Sequence, residues 1–587
     1  MPYLSLGVLY ATVTGVIAAT APSNDPNTFD APPPSFAGFV VKVATSREEA
    51  SPSVSARETV EGVVKSVMTG PWLVRDAAPI EGAFELLPPV LESTSAAMSP
   101  RDAWDVAHRL RSDPRFEYAE PMFAVPGAPG EAEAESECVP VSLAESGSQV
   151  SSNPGRPDTE WSLGPRGANI LEAWKTFGTE APGHDVWIGH PDTGYRKHPE
   201  IWSDRDSAVR PDLGWDFVDN DDDPADAFVE GLLRWPGHGT RTASVIVSPR
   251  GRQLEGPGEL GISGVAPGAH VIPLRVANGV VLFTPLNLAR AIQAATGSDH
   301  TRVKQKVDVV SISLGGPPSR ALEDAVRLAE QRGVIVVAAA GNRVKTVVWP
   351  ARYPNVIAVA ASNVDGRAWS GSSGGRAVAI GAPGESVWVA SPEMKAGAAV
   401  NCIGTSDGTS YGTATVAGIA ALWVSKHRDE ARFVALASSG RLTDTFRSLL
   451  QATARRGTDW NTERFGRGIV DATAMLAAPL PTSGGGEEAA PHDSRCTRDL
   501  AALESLFELA PDPRKRAASL LGRRPGQECN AASLADEVAF LYATDPSVSR
   551  ALESLMSARE PQPSEYSAAR NSLRGVGSGA LSRGLGR

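Results

Sequence analysis
The sequence predicts an α/β fold whose core, over residues 161–479 of a 587-residue chain, is a parallel β-sheet covered by helices on both faces. Two observations predict it. Five short runs are apolar at nearly every position: Val186-Trp187-Ile188-Gly189, Val271-Ile272-Pro273-Leu274-Arg275-Val276, Val307-Asp308-Val309-Val310-Ser311-Ile312, Val334-Ile335-Val336-Val337-Ala338 and Val356-Ile357-Ala358-Val359-Ala360. Strands apolar on both sides must be buried on both sides, as in a parallel sheet. Between them, residues 286–295 and 320–332 carry helical spacing, and strands joined by helices wind into such a sheet.

The flanking elements follow in order. No side chain from Met1 to Asn24 is charged, and an apolar run ends at Ala19-Thr20-Ala21, so residues 1–35 read as an export signal or a disordered N-terminus. A secreted or otherwise exported protein is expected, although no Lys or Arg precedes the run. Residues 36–126 form a small α+β unit: a strand at Phe39-Val40-Val41-Lys42-Val43, a helix over about 100–111, and a strand at Phe116-Glu117-Tyr118-Ala119-Glu120-Pro121. Residues 127–160 are acidic and rich in small residues and read as a solvated linker; residues 480–491, with Gly484-Gly485-Gly486, read as a second one. Over residues 492–587, Leu503, Leu506, Phe507 and Ala510, then Leu534, Val538, Leu541 and Tyr542, then Leu552, Leu555 and Met556 predict helices, and the Gly- and Arg-rich stretch 570–587 is expected to fray.

Composition excludes several classes. Lys plus Arg number 56 against 68 Asp plus Glu, a net charge of −12 that repels polyphosphate and argues against a nucleic-acid partner. After the N-terminal run no segment has the ~20 apolar residues that a membrane span requires. Four cysteines, Cys138, Cys402, Cys496 and Cys529, are too few for a disulfide scaffold and lack metal-site spacing. Cys496 and Cys529 are placed to staple one small domain, with free buried thiols as the alternative.

Three short motifs carry the chemistry. Pro191-Asp192-Thr193-Gly194 follows the first core strand, Gly237-His238-Gly239-Thr240 opens a helix of small residues, and Gly408-Thr409-Ser410 opens another. A serine hydroxyl becomes a nucleophile only with a base in hydrogen-bond reach and a carboxylate to orient that base. Asp192, His238 and Ser410 supply these groups in that order, 46 and 172 residues apart. Ser410 is preferred to Ser406 of the preceding Gly404-Thr405-Ser406, because the helix starts directly after Ser410 whereas Asp407-Gly408 reads as a turn.

These motifs resemble those of the subtilisin-like serine proteases over about residues 161–476. Ala338-Ala339-Ala340-Gly341-Asn342, Gly264-Val265-Ala266-Pro267-Gly268-Ala269 and Gly466-Arg467-Gly468-Ile469-Val470-Asp471-Ala472 add to the likeness. The resemblance implies a serine endopeptidase acting on polypeptides through an acyl-enzyme, with Asn342 and the Ser410 N–H holding the oxyanion. It implies a substrate edge at Ser313, Leu314 and Gly315, and a pocket walled by Leu314 to Gly316 and by Ala339, Ala340 and Gly341 that suits an apolar or medium-sized side chain. The unit 36–126 resembles the family's inhibitory propeptides, notably at Leu110-Arg111-Ser112-Asp113-Pro114. That implies a zymogen whose own propeptide is an intramolecular inhibitor, its sheet packed on core helices and its cleavage within residues 125–158. The family's proline and histidine after the serine are Ala414 and Thr415 here, and Arg241 replaces a histidine.

Competing readings are bland ones. His184, His190, His270 and His300 read as surface or turn residues, and His198 as part of a solvated charged turn. Asp216, Asp219, Asp221, Asp222, Asp223 and Asp226 form an acidic loop that reads as solvated, with structural calcium as the alternative; the chemistry itself requires no cofactor. Two rival functions are a catalytically inactive binding protein of the same fold and an esterase or lipase, since Gly408-Thr409-Ser410-Tyr411-Gly412 also fits G-x-S-x-G. The lipase reading suffers because residues 401–407 read as loop rather than strand and only His427 and His492 follow the serine.

Overall fold
The computed structural model describes residues 35–44, 53–88, 98–124, 139–140, 159–202, 207–228, 235–249, 261–282, 285–344, 346–395, 398–481, 503–504, 506–507, 510–522 and 534–585. The signal-like residues 1–34 lie outside them, as do Cys138, Cys496 and Cys529.

At the N-terminus, β1 (Ser35–Val43), β2 (Leu73–Asp76), β3 (Ala83–Leu87) and β4 (Phe116–Ala124) make an antiparallel sheet in the order β2-β3-β1-β4. The helices Ser53–Val67 and Pro100–Arg111 complete the unit. The second starts where its sequence demands: Ser99 accepts from the Asp102 N–H, Pro100 occupies the first turn, and Ala103, Trp104, Val106, Ala107 and Leu110 are buried. The predicted strands and helix of this unit are all present; the helix Ser53–Val67, β2 and β3 complete it.

The chain then adds β5 (Val139–Pro140), within the stretch expected to be linker, and enters the core. There β6 (Trp187–Asp192), β7 (Trp215–Asp216), β8 (His270–Arg275), β9 (Val309–Ile312), β10 (Ile335–Ala339), β11 (Ile357–Ser362) and β12 (Val378–Pro383) form one sheet, ordered β12-β11-β10-β9-β6-β8-β7. Every pairing in it is parallel. Alternate residues enter different cores. Val309, Ile335 and Val337 pack with the helix Thr409–His427, whereas Val310, Val336 and Ala338 pack with the helices Leu286–Gln293 and Arg320–Gln331. Both faces are therefore covered, which is why the strands carry no polar alternation. The helix Thr409–His427 is buried along nearly its whole length, and each fully buried aliphatic side chain such as Leu422 contributes roughly 1.5–3 kcal/mol.

Two sequence expectations are corrected. Residues 401–407, read as loop, lie largely in β14 (Ala398–Ser406), which pairs with β13 (Val387–Lys395) and, at Cys402 and Ile403, with β5. The C-terminal stretch expected to fray instead forms the end of the helix Pro563–Val576 and the helix Gly579–Gly584, because Leu573, Leu581 and Leu585 are buried. The C-terminal unit is otherwise helical as expected, with Leu503, Leu506, Phe507, Val538, Leu552 and Leu555 in its core. Cys402 is disulfide-bonded rather than a free thiol.

Candidate active site
Asp192 ends β6, where its carbonyl accepts from Val276 N–H and parallel pairing sets it opposite Arg275. His238 begins the helix His238–Val247, after Gly237 at φ +81°. The two meet because Gly239 has no side chain: a Cβ there would lie 2.1 Å from the Gly194 carbonyl oxygen and 3.2 Å from the Asp192 Cβ. Ser410 sits in the first turn of the helix Thr409–His427, among N–H groups that have no acceptor within the helix.

These three side chains lie in series. His238 Nδ1 donates to Asp192 Oδ1 at 2.7 Å, and His238 Nε2 is 3.2 Å from Ser410 Oγ. The serine hydroxyl is also 3.4 Å from the Ser313 carbonyl oxygen, and Ser313 Oγ donates back to the Ser410 carbonyl at 3.2 Å. Asp192 is fully buried. Burial raises its pKa, but the His238 imidazole and the Thr193 N–H at 2.7 Å outweigh that and hold the carboxyl below its ordinary value. It stays ionised beside the imidazole. Asn342 follows β10, and its Oδ1 accepts from Thr409 N–H (2.9 Å) and Thr409 Oγ1 (2.8 Å). With the carbonyl end so engaged, the NH2 end is left as the donor of this amide.

Residues that the sequence reading passed over hold this arrangement. Thr193 Oγ1 donates to Asp226 at 2.8 Å and accepts from Gly239 N–H at 3.2 Å. Asp226 also accepts from Phe228 and Gly237 N–H groups. Thr242, one turn beyond His238, contacts Asp192 Oδ2 at 3.4 Å and His190 Nε2 at 3.0 Å. His190 is buried, not a surface residue, and burial pushes its pKa down, so it remains neutral. His198 is likewise buried, its Nε2 donating to the Cys402 carbonyl at 2.8 Å, so the solvated-turn reading is corrected. His184 hydrogen-bonds with Ser425, and His270 stacks on Trp187. Only the small-residue context of Thr193 and the helical offset of Thr242 hint at these roles in the sequence.

The acidic loop is not simply solvated. Asp216 and Asp219 engage Arg275, Asp216 and Asp226 are buried, and Asp221 and Asp223 accept from nearby backbone N–H groups. Among the described residues no three acidic, histidine or cysteine side chains converge as a metal site.

The expected substrate walls face each other across Val348. A Cβ on Gly315 would meet Val348 Cγ2 at 2.3 Å, and one on Gly341 would meet Val348 Cγ1 at 3.1 Å. The edge at Gly315 is already paired: its N–H donates to Val280 carbonyl at 3.1 Å and its carbonyl accepts from Leu282 N–H at 2.8 Å. An incoming peptide strand at Gly315 must displace that segment. Ser406, at the end of β14, accepts from Tyr411 OH at 2.8 Å. Arg241 is buried and donates to Ser391 Oγ and Pro236 carbonyl, while Ala414 and Thr415 pack inside the central helix.

β14 and Asp407-Gly408 do make a strand–turn–helix before Ser410, so that local criterion does not separate this site from a lipase elbow. Chain order does. Asp192 and His238, both upstream, engage Ser410, whereas the downstream His427 pairs with Glu430 at 2.6 Å.

Comparison with known proteins agrees. The profile described as the Subtilase family matches residues 183–468. Thermitase of Thermoactinomyces vulgaris is 31% identical over 304 residues, 51% of this chain and 91% of its own. Subtilisin DY of Bacillus licheniformis is 32% identical over 273 residues, 45% of this chain and 85% of its own. The structure of fervidolysin from Fervidobacterium pennivorans, a keratinolytic enzyme related to subtilisin, shares the fold with a TM-score of 0.51 at 22% identity, covering 77% of this chain and 63% of that one. The chain belongs to the subtilase family and is a serine-type endopeptidase.

Proposed function
We propose that Ser410 is the nucleophile of this peptidase, His238 its base and then its acid, and Asp192 the carboxylate that orients the imidazole and steadies its charge. The observation that carries this is the unbroken series Asp192–His238–Ser410, with separations of 2.7 and 3.2 Å. Ser410 Oγ attacks the scissile carbonyl as its proton passes to His238 Nε2. The Asn342 amide and the Ser410 N–H hold the oxyanion. His238 then protonates the leaving amine, and water, deprotonated by the same imidazole, hydrolyses the acyl-enzyme. Residues Ser313, Leu314 and Gly315 take the extended peptide, and Ala339, Ala340 and Gly341 form the opposite wall, with Val348 shortening the pocket toward small apolar side chains.

The N-terminal unit acts as the enzyme's own inhibitor in an exported zymogen. In support, Glu120 of β4 accepts from Ser319 Oγ (2.7 Å) and from Arg320 and Ala321 N–H, capping the core helix Arg320–Gln331, while Lys42 pairs with Asp324 at 2.8 Å and Arg290 donates to the Ala78 carbonyl. Fluorophosphonate labelling tests the chemistry: the wild-type chain is labelled and Ser410→Ala is not. A wild-type chain that stays unlabelled after processing would leave the inactive binding protein as the better reading. The same Ser410→Ala chain remains uncut between residues 125 and 158, whereas wild type is cleaved there.

A further inference from the structure
The C-terminal helices do not rest on the catalytic core alone. They reach across to the outer helix of the N-terminal unit, Pro100–Arg111, more than 400 residues away in sequence. His108 Nε2 donates to Glu537 Oε2 at 2.7 Å, and the fully buried Glu537 also accepts from Ser578 N–H (2.6 Å) and Ser578 Oγ (2.8 Å). Arg111 donates to Asp536 at 3.1 Å, and Asp536 lies 3.6 Å from Arg320 of the core, so one carboxylate touches both bodies. Asp105 accepts from Gly579 and Ala580 N–H, each at 3.0 Å. Apolar contact joins them too: Phe540 stacks on Phe123 with centroids 4.5 Å apart and meets Trp104 at 5.9 Å.

The N-terminal unit is thus gripped on two sides. Its sheet lies against the core through Glu120, Lys42 and Arg290, and its helix lies against the C-terminal helices through Asp105, His108 and Arg111. Two surfaces carried on one body act as a bivalent receptor, because a ligand that loosens from one is held by the other at high effective concentration. Charged pairs buried at an interface affect dissociation more than association.

We propose that the C-terminal helices are a second receptor for the N-terminal unit, keeping it on the enzyme after the connecting chain is cut, so that activity appears only after a lag set by its departure. This rests on the zymogen reading above. When the unit leaves, Phe540 loses Phe123 and Trp104, Asp536 loses Arg111, and Glu537 loses His108.

The test uses the full chain, followed after self-cleavage by native mass spectrometry for the retained fragment and by peptidase activity for the lag. In His108→Gln and in Glu537→Gln, the half-life of the fragment on the enzyme falls by about tenfold or more and the lag shortens in step, while the activity reached after complete release equals that of wild type. The double variant releases no faster than Glu537→Gln alone, since His108→Gln removes only a contact that Glu537→Gln already removes; simple loosening of each fold would instead multiply the effects. Glu120→Gln, on the opposite surface, multiplies with either. Unchanged fragment half-lives in both single variants, or fully multiplicative effects in the double variant, overturn the second receptor and leave the zymogen standing. A wild-type chain that is active at once without cleavage overturns the zymogen reading itself.

Discussion

Two carboxylate–imidazole pairs in this molecule, each with a buried carboxylate, share one separation. Asp192 and His238 lie 2.7 Å apart at the end of β6, and Glu537 and His108 lie 2.7 Å apart where the N- and C-terminal units meet. Their surroundings differ. The second nitrogen of His238 faces a serine hydroxyl, on backbone packed so tightly that Gly239 tolerates no Cβ. Around His108 the ring contacts are with Trp104, and the second partner of Glu537 is Ser578, whose N–H and hydroxyl both donate to it. The pair alone is a fastener. It becomes catalytic only when a nucleophile and oxyanion donors complete it.

Removing charge from each pair separates the two roles. Asp192→Asn lowers kcat by roughly 10⁴-fold, because the wrong tautomer is held against Ser410, whereas Glu537→Gln leaves the kcat of the fully released enzyme unchanged; steady-state assays on a small chromogenic peptide read both. Asn342→Ala isolates the oxyanion donor and costs about 10²–10³ in kcat with KM little altered. Smallest is Val348→Ala, which enlarges the pocket between Gly315 and Gly341 and shifts the kcat/KM ratio for Leu over Ala before the cut bond by about tenfold, within the span expected for one or two methyl groups. A ratio that does not move would remove Val348 from the pocket.

How much of this was legible depended on where the information lay. The parallel strands and the groups at Asp192, His238 and Ser410 were readable because apolar runs and glycine-flanked motifs are local signals. The β13–β14 hairpin was not: Asn401, Gly404, Thr405 and Ser406 carry no strand pattern, and residue-by-residue pairing with β13 decides their conformation. The last turns were hidden by Gly and Arg content, although Leu573, Leu581 and Leu585 anchor them against a core supplied by distant residues. Asp226 and His190 looked solvated because their sequence neighbours are polar or turn-forming; their burial comes from Thr193, Gly237 and Thr242, brought near by tertiary packing.

The bonds between Gly315 and the stretch Val280 to Leu282 carry a kinetic consequence. On the proposed substrate edge, a guest strand pairing at Gly315 must first undo these two backbone hydrogen bonds before it can make its own. A dipeptide offers too few replacements, whereas a long unfolded segment restores them along several residues. Turnover efficiency should therefore climb steeply with substrate length, favouring slack polypeptide over small peptides and tightly folded neighbours.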